Sequence, residues 1–187
     1  MDVAKLVPLL FEIGTLRKIA RTHRQILLTD DLSDNIAAHS FRVAVIAYYL
    51  ARAENVSVSK VVLMALLHDI PEARSGDQNW IHKRYTDVSE HKIVHDQLSG
   101  LEQDDSLLAI MDEYYARTTK ESKIAKDADV LDQILLIKEY AHQGNREASV
   151  WSESNMYDTL LFSGTAKSLA SYIKQGQVNS WWQQLLG

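Results

Sequence analysis

The sequence predicts an all-α fold, a helical bundle made as a single domain over residues 1–187. Three observations lead there. The chain holds only seven glycines and two prolines in 187 residues, against roughly 12 % in average usage, which excludes most all-β designs and leaves room for long helices. Apolar residues recur at i, i+3, i+4 and i+7 along several segments, the period of a helix with one buried face. Apolar side chains make up 46 % of the chain and charged ones 24 %, enough for a core and too few charges for a disordered chain.

The elements follow in order. Val3, Leu6, Leu10, Ile13, Leu16 and Ile19 have helical spacing, in one helix with an early Pro8 or two short ones split near Gly14. Between Thr22 and Asn35 the period is lost, and Thr29, Asp30, Asp31, Ser33, Asp34 and Asn35 form a polar loop ending in an N-cap. A helix then runs from Ile36 to about Glu54. Its stripe of Val43, Ile46, Ala47 and Leu50 begins near His39, whose imidazole is expected to point inward. Ser57 or Ser59 caps the next helix, which passes through Val61 to Leu67 and stops around Pro71, leaving His68 and Asp69 in its last turn. A loop with Gly76 follows, then weaker helices over about 87–101 and 106–115. Ser122 is expected to cap a long apolar helix reaching His142. A last helical region covers 157–173 and ends near Gly176, before an apolar tail of Trp181, Trp182, Leu185 and Leu186 that could cover a partner.

Composition excludes several function classes. A net charge of −5 leaves no general basic surface for coating a nucleic-acid polymer. The absence of cysteine removes disulfides, thiolate metal sites and cysteine nucleophiles. The longest apolar run, Val43 to Ala51, is about half of the roughly 20 residues that cross a bilayer. Asp2 and Glu12 interrupt any secretory signal at the start. A cytoplasmic protein acting on a small molecule is the expectation.

Ionisable residues inside apolar helices are costly unless paired, and His39, His68, Asp69, Asp127 and Asp129 all lie on the most apolar helices. Singly, each reads as a hydrogen-bonded core residue or a capping carboxylate. Together, two histidines and one or two aspartates offer a nitrogen and oxygen set for a borderline divalent metal such as manganese, iron, cobalt or zinc. Periodicity does not choose between Asp127, which shares a stripe with Ile124, Leu131 and Ile134, and Asp129, beside Ala125 and Leu136. His91 and His95, at i and i+4, could put two imidazoles on one metal, but Glu90, Lys92 and Asp96 around them read as a solvated face. His23 and Arg24 lie in the loop before His39, where cations could meet a phosphate.

His39, the pair His68-Asp69 and Asp129 in Lys126-Asp127-Ala128-Asp129-Val130-Leu131 resemble the H…HD…D signature of the HD-domain metal-dependent phosphohydrolases. The run His68-Asp69-Ile70-Pro71-Glu72-Ala73-Arg74-Ser75-Gly76-Asp77 is similar to the HDxxExxxGD segment of the 5′-deoxynucleotidase-like branch. The resemblance covers about residues 5–142, with a helical extension after it. It implies one divalent metal ion (manganese, cobalt, iron, zinc or magnesium) on His39, His68, Asp69 and Asp129, since Asp followed two residues later by Leu selects Asp129. It also implies Glu72 as general acid or base beside Asp69, Arg21 for phosphate, Asp77 facing the sugar, and a homodimer; Lys83, in the same segment, could contact phosphate or be a surface lysine. The chain departs from the branch in having no Trp close after Arg21; Trp80 could replace that platform. The expected reaction is hydrolysis of deoxynucleoside 5′-monophosphates to deoxynucleoside and phosphate. The alternatives are a triphosphohydrolase releasing tripolyphosphate and a non-catalytic nucleotide-binding module. The Glu-Asp pair of alarmone hydrolases and the Gly-Tyr-Pro motif of the cyclic-dinucleotide branch are absent.

Overall fold

The computed structural model describes residues 2–102, 105–154 and 156–186, and among them it is helical, with one isolated bridge between Ala20 and Asn35 in place of a sheet. The helices are α1 (Val3–Ile13), α2 (His23–Leu27), α3 (Ile36–Ala53), α4 (Val58–Leu67), α5 (Glu72–Ser75), α6 (His82–Tyr85), α7 (Glu90–Leu98), α8 (Ser106–Ala116), α9 (Lys120–His142), α10 (Arg146–Glu153), α11 (Gly164–Gln175) and α12 (Ser180–Gln183). No helix of the described residues is long and apolar enough to cross a membrane.

Helices α3, α4 and α9 pack against one another and form the centre. Asn35 starts α3 by accepting from the Ala38 N–H at 3.0 Å, and Ile36, His39, Ser40, Val43, Ala47 and Leu50 turn inward at helical spacing. Helix α9 is buried on nearly every side, as its apolar circumference requires: α3, α4, α8, α10 and α11 all pack on it. Its first turn is closed by Thr119, whose hydroxyl accepts from the Ser122 N–H at 3.2 Å. The expected cap Ser122 is already inside the helix, a three-residue offset set by the extended backbone at Thr119.

Other local expectations shift for reasons of packing. Helix α1 ends at Gly14 and a short 3₁₀ turn, Leu16–Lys18, follows, so the stretch is split. Leu9 is buried there while Val3 and Leu10 are exposed, because the inward face runs through Leu6, Leu9 and Ile13. The polar segment after Thr22 contains α2, which uses Leu27 to join a small second core with Leu136, Ile137, Tyr140 and Ala148. The segment after α4 is broken into the single turns α5 and α6. Gly76 stands between them with φ 71° and ψ 161°, a conformation open essentially to glycine alone.

The region past residue 142 is integral to the bundle. Leu161, Ala166 and Ala170 belong to the main core. Asp127, fully buried on α9, accepts from the backbone N–H groups of Phe162 at 2.7 Å and Ser163 at 2.9 Å, and Ser163 caps α11. Asp127 is therefore the anchor of the C-terminal helices. Replacing Asp127 by Ala removes the acceptor of both N–H groups, and a loss of about 1–3 kcal/mol in unfolding free energy is expected, read by denaturant titration, with metal content of the folded protein unchanged.

Candidate metal centre

The three central helices converge on one point. Helix α3 delivers His39, the residues just past α4 deliver His68 and Asp69, and the middle of α9 delivers Asp129. The two imidazole Nε2 atoms lie 3.3 Å apart. Asp69 Oδ2 is 3.3 Å from His39 Nε2 and 3.2 Å from that of His68. Asp129 Oδ1 is 3.3 and 3.7 Å from the same two nitrogens. His39, His68 and Asp129 each offer a donor atom within 4.8 Å of the other two, a set that fits a divalent cation, and Asp69 Oδ2 stands beside both histidine nitrogens.

Each donor is aimed by a neighbour on its far side. His68 Nδ1 donates to the Ala65 carbonyl at 2.7 Å, and His39 Nδ1 bonds Asp132 Oδ2 at 2.6 Å. Both bonds leave Nε2 as the free atom, the usual arrangement of histidine ligands. Lys126 donates to Asp129 Oδ2 at 2.6 Å, and Asp129 Oδ1 faces the histidines. Arg42 holds the other oxygen of Asp132 and reaches Glu139 at 2.6 Å.

The electrostatics ask for positive charge. Burial and Arg21 work against protonating His39, yet Asp129, Asp132 and Asp69 hold its pKa up at about 9. Burial alone would raise the carboxyls of Asp69 and Asp129, but His68 and His39 keep the first well below the usual range, and Lys126 with both histidines does so for the second. A cation at the shared point answers the same demand.

A cleft of about 500 Å³ opens above this cluster, within the size range of small-molecule sites. Arg21, His23, Glu72, Asp77, Trp80, Lys83, Lys126 and Gln133 line it together with His68, Asp69 and Asp129. The backbone explains the place of Arg21: Arg21 N–H donates to Asp34 O at 2.9 Å, and Ile36 N–H to Ile19 O at 3.1 Å, so the chain before α2 is laced to the start of α3. Arg21 then lies against His39 Nδ1, 3.2 Å from Gln133 Oε1 and 3.5 Å from Asp132. Among the described residues, three buried nitrogens of this cleft have no hydrogen-bond partner, Arg21 Nε, His23 Nδ1 and Gln133 Nε2, and neither has the oxygen Glu72 Oε2. Buried polar atoms left open in this way mark a place for a polar ligand. Burial, with Asp69 and Asp77 nearby, pushes the Glu72 carboxyl up to about 10.

Some sequence-derived candidates sit differently from expectation. Asp77 spends Oδ2 on the N–H and hydroxyl of Thr22, the latter at 2.7 Å, tying the wall after Gly76 to Arg21. Lys83 is on the rim, more than half exposed and 4.0 Å from Glu90. Burial and Arg21 lower the pKa of His23 to about 4, so it stands in the cleft as a neutral ring. Arg24 pairs with Asp30 at 3.6 Å. Sequence reasoning missed Asp132 and Gln133, and also Met156, Tyr157 and Leu160, which bring the C-terminal region into the wall. Asp132 met the criterion that singled out the others, a carboxylate on an apolar helix, one turn beyond Asp129.

Comparison with known proteins gives the family and the fold. Residues 13–161 match the HD domain family. The 5′-deoxynucleotidase YfbR of Escherichia coli O127:H6 is 28% identical over 149 residues, spanning 71% of this chain and 73% of that protein. The 5′-deoxynucleotidase of Citrobacter koseri is 26% identical over 148 residues, with 71% and 73% covered. Among solved structures, a conserved hypothetical protein from Pyrococcus furiosus superposes with a TM-score of 0.75 at 24% identity, covering 91% of this chain and 99% of that one. A predicted metal-dependent phosphohydrolase from Magnetospirillum magnetotacticum does so with 0.67 at 24% identity, covering 92% and 91%.

Asp132→Asn keeps the shape of the side chain and removes the charge that orients His39. Metal affinity, measured by competition with a chelator, is expected to fall about 10–100-fold while the helical circular dichroism is retained.

Proposed function

The chain belongs to the HD-domain family of metal-dependent phosphohydrolases, and we propose that its reaction is the hydrolysis of deoxynucleoside 5′-monophosphates to deoxynucleoside and phosphate. The observation that carries the reading is the cluster of His39, His68, Asp69 and Asp129 donors, 3.2 to 3.7 Å apart along the pairs above, on the floor of a cleft that also presents Arg21 and Glu72. The 5′-deoxynucleotidases among its relatives support the substrate class. His39, His68, Asp69 and Asp129 would hold a divalent ion, which when bound would supply Lewis acidity toward a phosphate oxygen and bring the pKa of water down to near neutral.

The remaining work falls to the chain's own groups. Arg21 is fixed by Asp132 and Gln133 with Nε unpaired, so it is placed to receive an anionic phosphate oxygen through a charge-assisted bond. Lys126 adds a second cation beside Asp129, and Lys83 can close over the phosphate from the rim. In hydrolysis the oxygen of water bonds to phosphorus, the bond between phosphorus and the 5′ oxygen breaks, and the 5′ oxygen leaves with a proton. Glu72 carries a proton at neutral pH because of its raised pKa, and Oε2, with no partner, is the atom from which it is delivered. Asp77, held by Thr22, sets the wall against which the sugar lies, and Trp80 offers a half-exposed aromatic face for the base.

The number of cations in the cleft favours one second reading. Arg21, Lys83, Arg117 and Lys126 all line it, enough to receive a triphosphate, and release of tripolyphosphate in place of orthophosphate would identify that reaction. For the monophosphatase, Glu72→Gln is expected to lower kcat by about 10²–10⁴-fold with metal content and substrate binding kept. Retained turnover in that variant removes Glu72 from its role. Asp69→Ala is expected to lose both metal and phosphate release, measured on a chromatographic panel of nucleoside mono- and triphosphates with manganese, cobalt, magnesium or zinc restored. We place the enzyme in the cytoplasm, where such nucleotides are found, and as a homodimer, supported by the exposed Trp181, Leu185 and Leu186; a monomeric mass by light scattering would refute the second point.

A further inference from the structure

Away from the donors of the cleft, two adjacent helices bring a second set of donors together. His91 and His95 stand one turn apart on α7 with ring centroids 4.4 Å apart. Asp112 on α8 places Oδ1 at 2.9 Å from Nε2 of each ring. One donor atom from each of the three residues lies within 4.8 Å of the other two. The i, i+4 spacing alone offered two imidazoles; the packing of α7 on α8 supplies the third donor, which the sequence does not reveal because it lies on the neighbouring helix.

The surroundings differ from those of the buried centre. The side chains of His91, His95 and Asp112 are 56%, 38% and 44% exposed, so water can complete a coordination shell and an ion can enter directly from solvent. Two imidazole nitrogens and one carboxylate oxygen suit zinc, nickel or copper, and offer too few oxygens for calcium or magnesium. The position is also linked to the cleft. The His91 ring packs edge-on against Tyr115, with centroids 5.8 Å apart, and Tyr115 and Glu90 both line the cleft.

We propose that His91, His95 and Asp112 form a second, solvent-accessible site for a divalent transition-metal ion of the zinc, nickel or copper class, which ties α7 to α8 behind the cleft wall. The site is independent of the reaction and of the ion that serves it. With no ion bound, the same trio is a carboxylate shared by two imidazoles.

The test is zinc binding by the holoenzyme and by the holoenzyme carrying His91→Gln and His95→Gln together, with Asp112→Asn as a third protein. Bound zinc is counted by elemental analysis after gel filtration, and the imidazole signals of His91 and His95 are followed by NMR during the titration. The wild type is expected to take up one equivalent more than the double variant. Asp112→Asn is expected to bind that equivalent about tenfold or more weakly, and the His91 and His95 signals to shift together in the wild type. All three proteins should show the same turnover without added zinc. Equal zinc uptake by wild type and double variant, or imidazole signals that do not move, overturns the proposal and leaves a hydrogen-bonded trio only.

Discussion

Three mutually packed helices each present ionisable side chains to one buried point, and ionised groups in such surroundings cost several kcal/mol apiece unless they are paired. That requirement organises much of the surrounding structure. His39 and His68 sit between Asp69 and Asp129, and the charges that remain are taken up farther out by Lys126, Asp132, Arg42 and Arg21. Local sequence has a direct part in this. Lys126 is three residues before Asp129 on the same helix, and Arg21 comes to the site because the chain before α2 is hydrogen-bonded to the chain entering α3.

The same arrangement separates holding groups from working groups. Asp132, Ala65 and Lys126 turn donor atoms toward the centre and have their own bonds satisfied. Glu72, Arg21, His23 and Gln133 keep buried polar atoms without partners, all of them in residues lining one cleft. A buried unpaired atom is destabilising in the folded chain alone and is offset when a ligand supplies the missing partner. This division gives the cleft its polarity without loosening the core beneath it.

The C-terminal third also takes its meaning from α9. Asp127 faces away from the metal centre and binds the two N–H groups that lead into α11, while Asp129 faces toward it. Two carboxylates of identical chemistry, two residues apart on one helix, thus face an anchored segment on one side and the two histidines on the other. The anchored region returns Met156, Tyr157 and Leu160 to the cleft wall.

The sequence by itself determined the helical class and the central helices α3, α4 and α9, because helical period is a local property of the chain, and its H…HD…D order named His39, His68, Asp69 and Asp129 as candidates, which the fold brings close together. It also marked Glu72 and Arg21, through motif and position. Residue periodicity could not separate Asp127 from Asp129, since α9 is apolar nearly all round and its faces acquire meaning only from what packs on them. Gln133, the C-terminal wall and the partnerships of Asp132 with His39 and of Asp112 with His91 and His95 were decided by tertiary structure alone, because each depends on residues distant in sequence being brought within hydrogen-bonding or packing range.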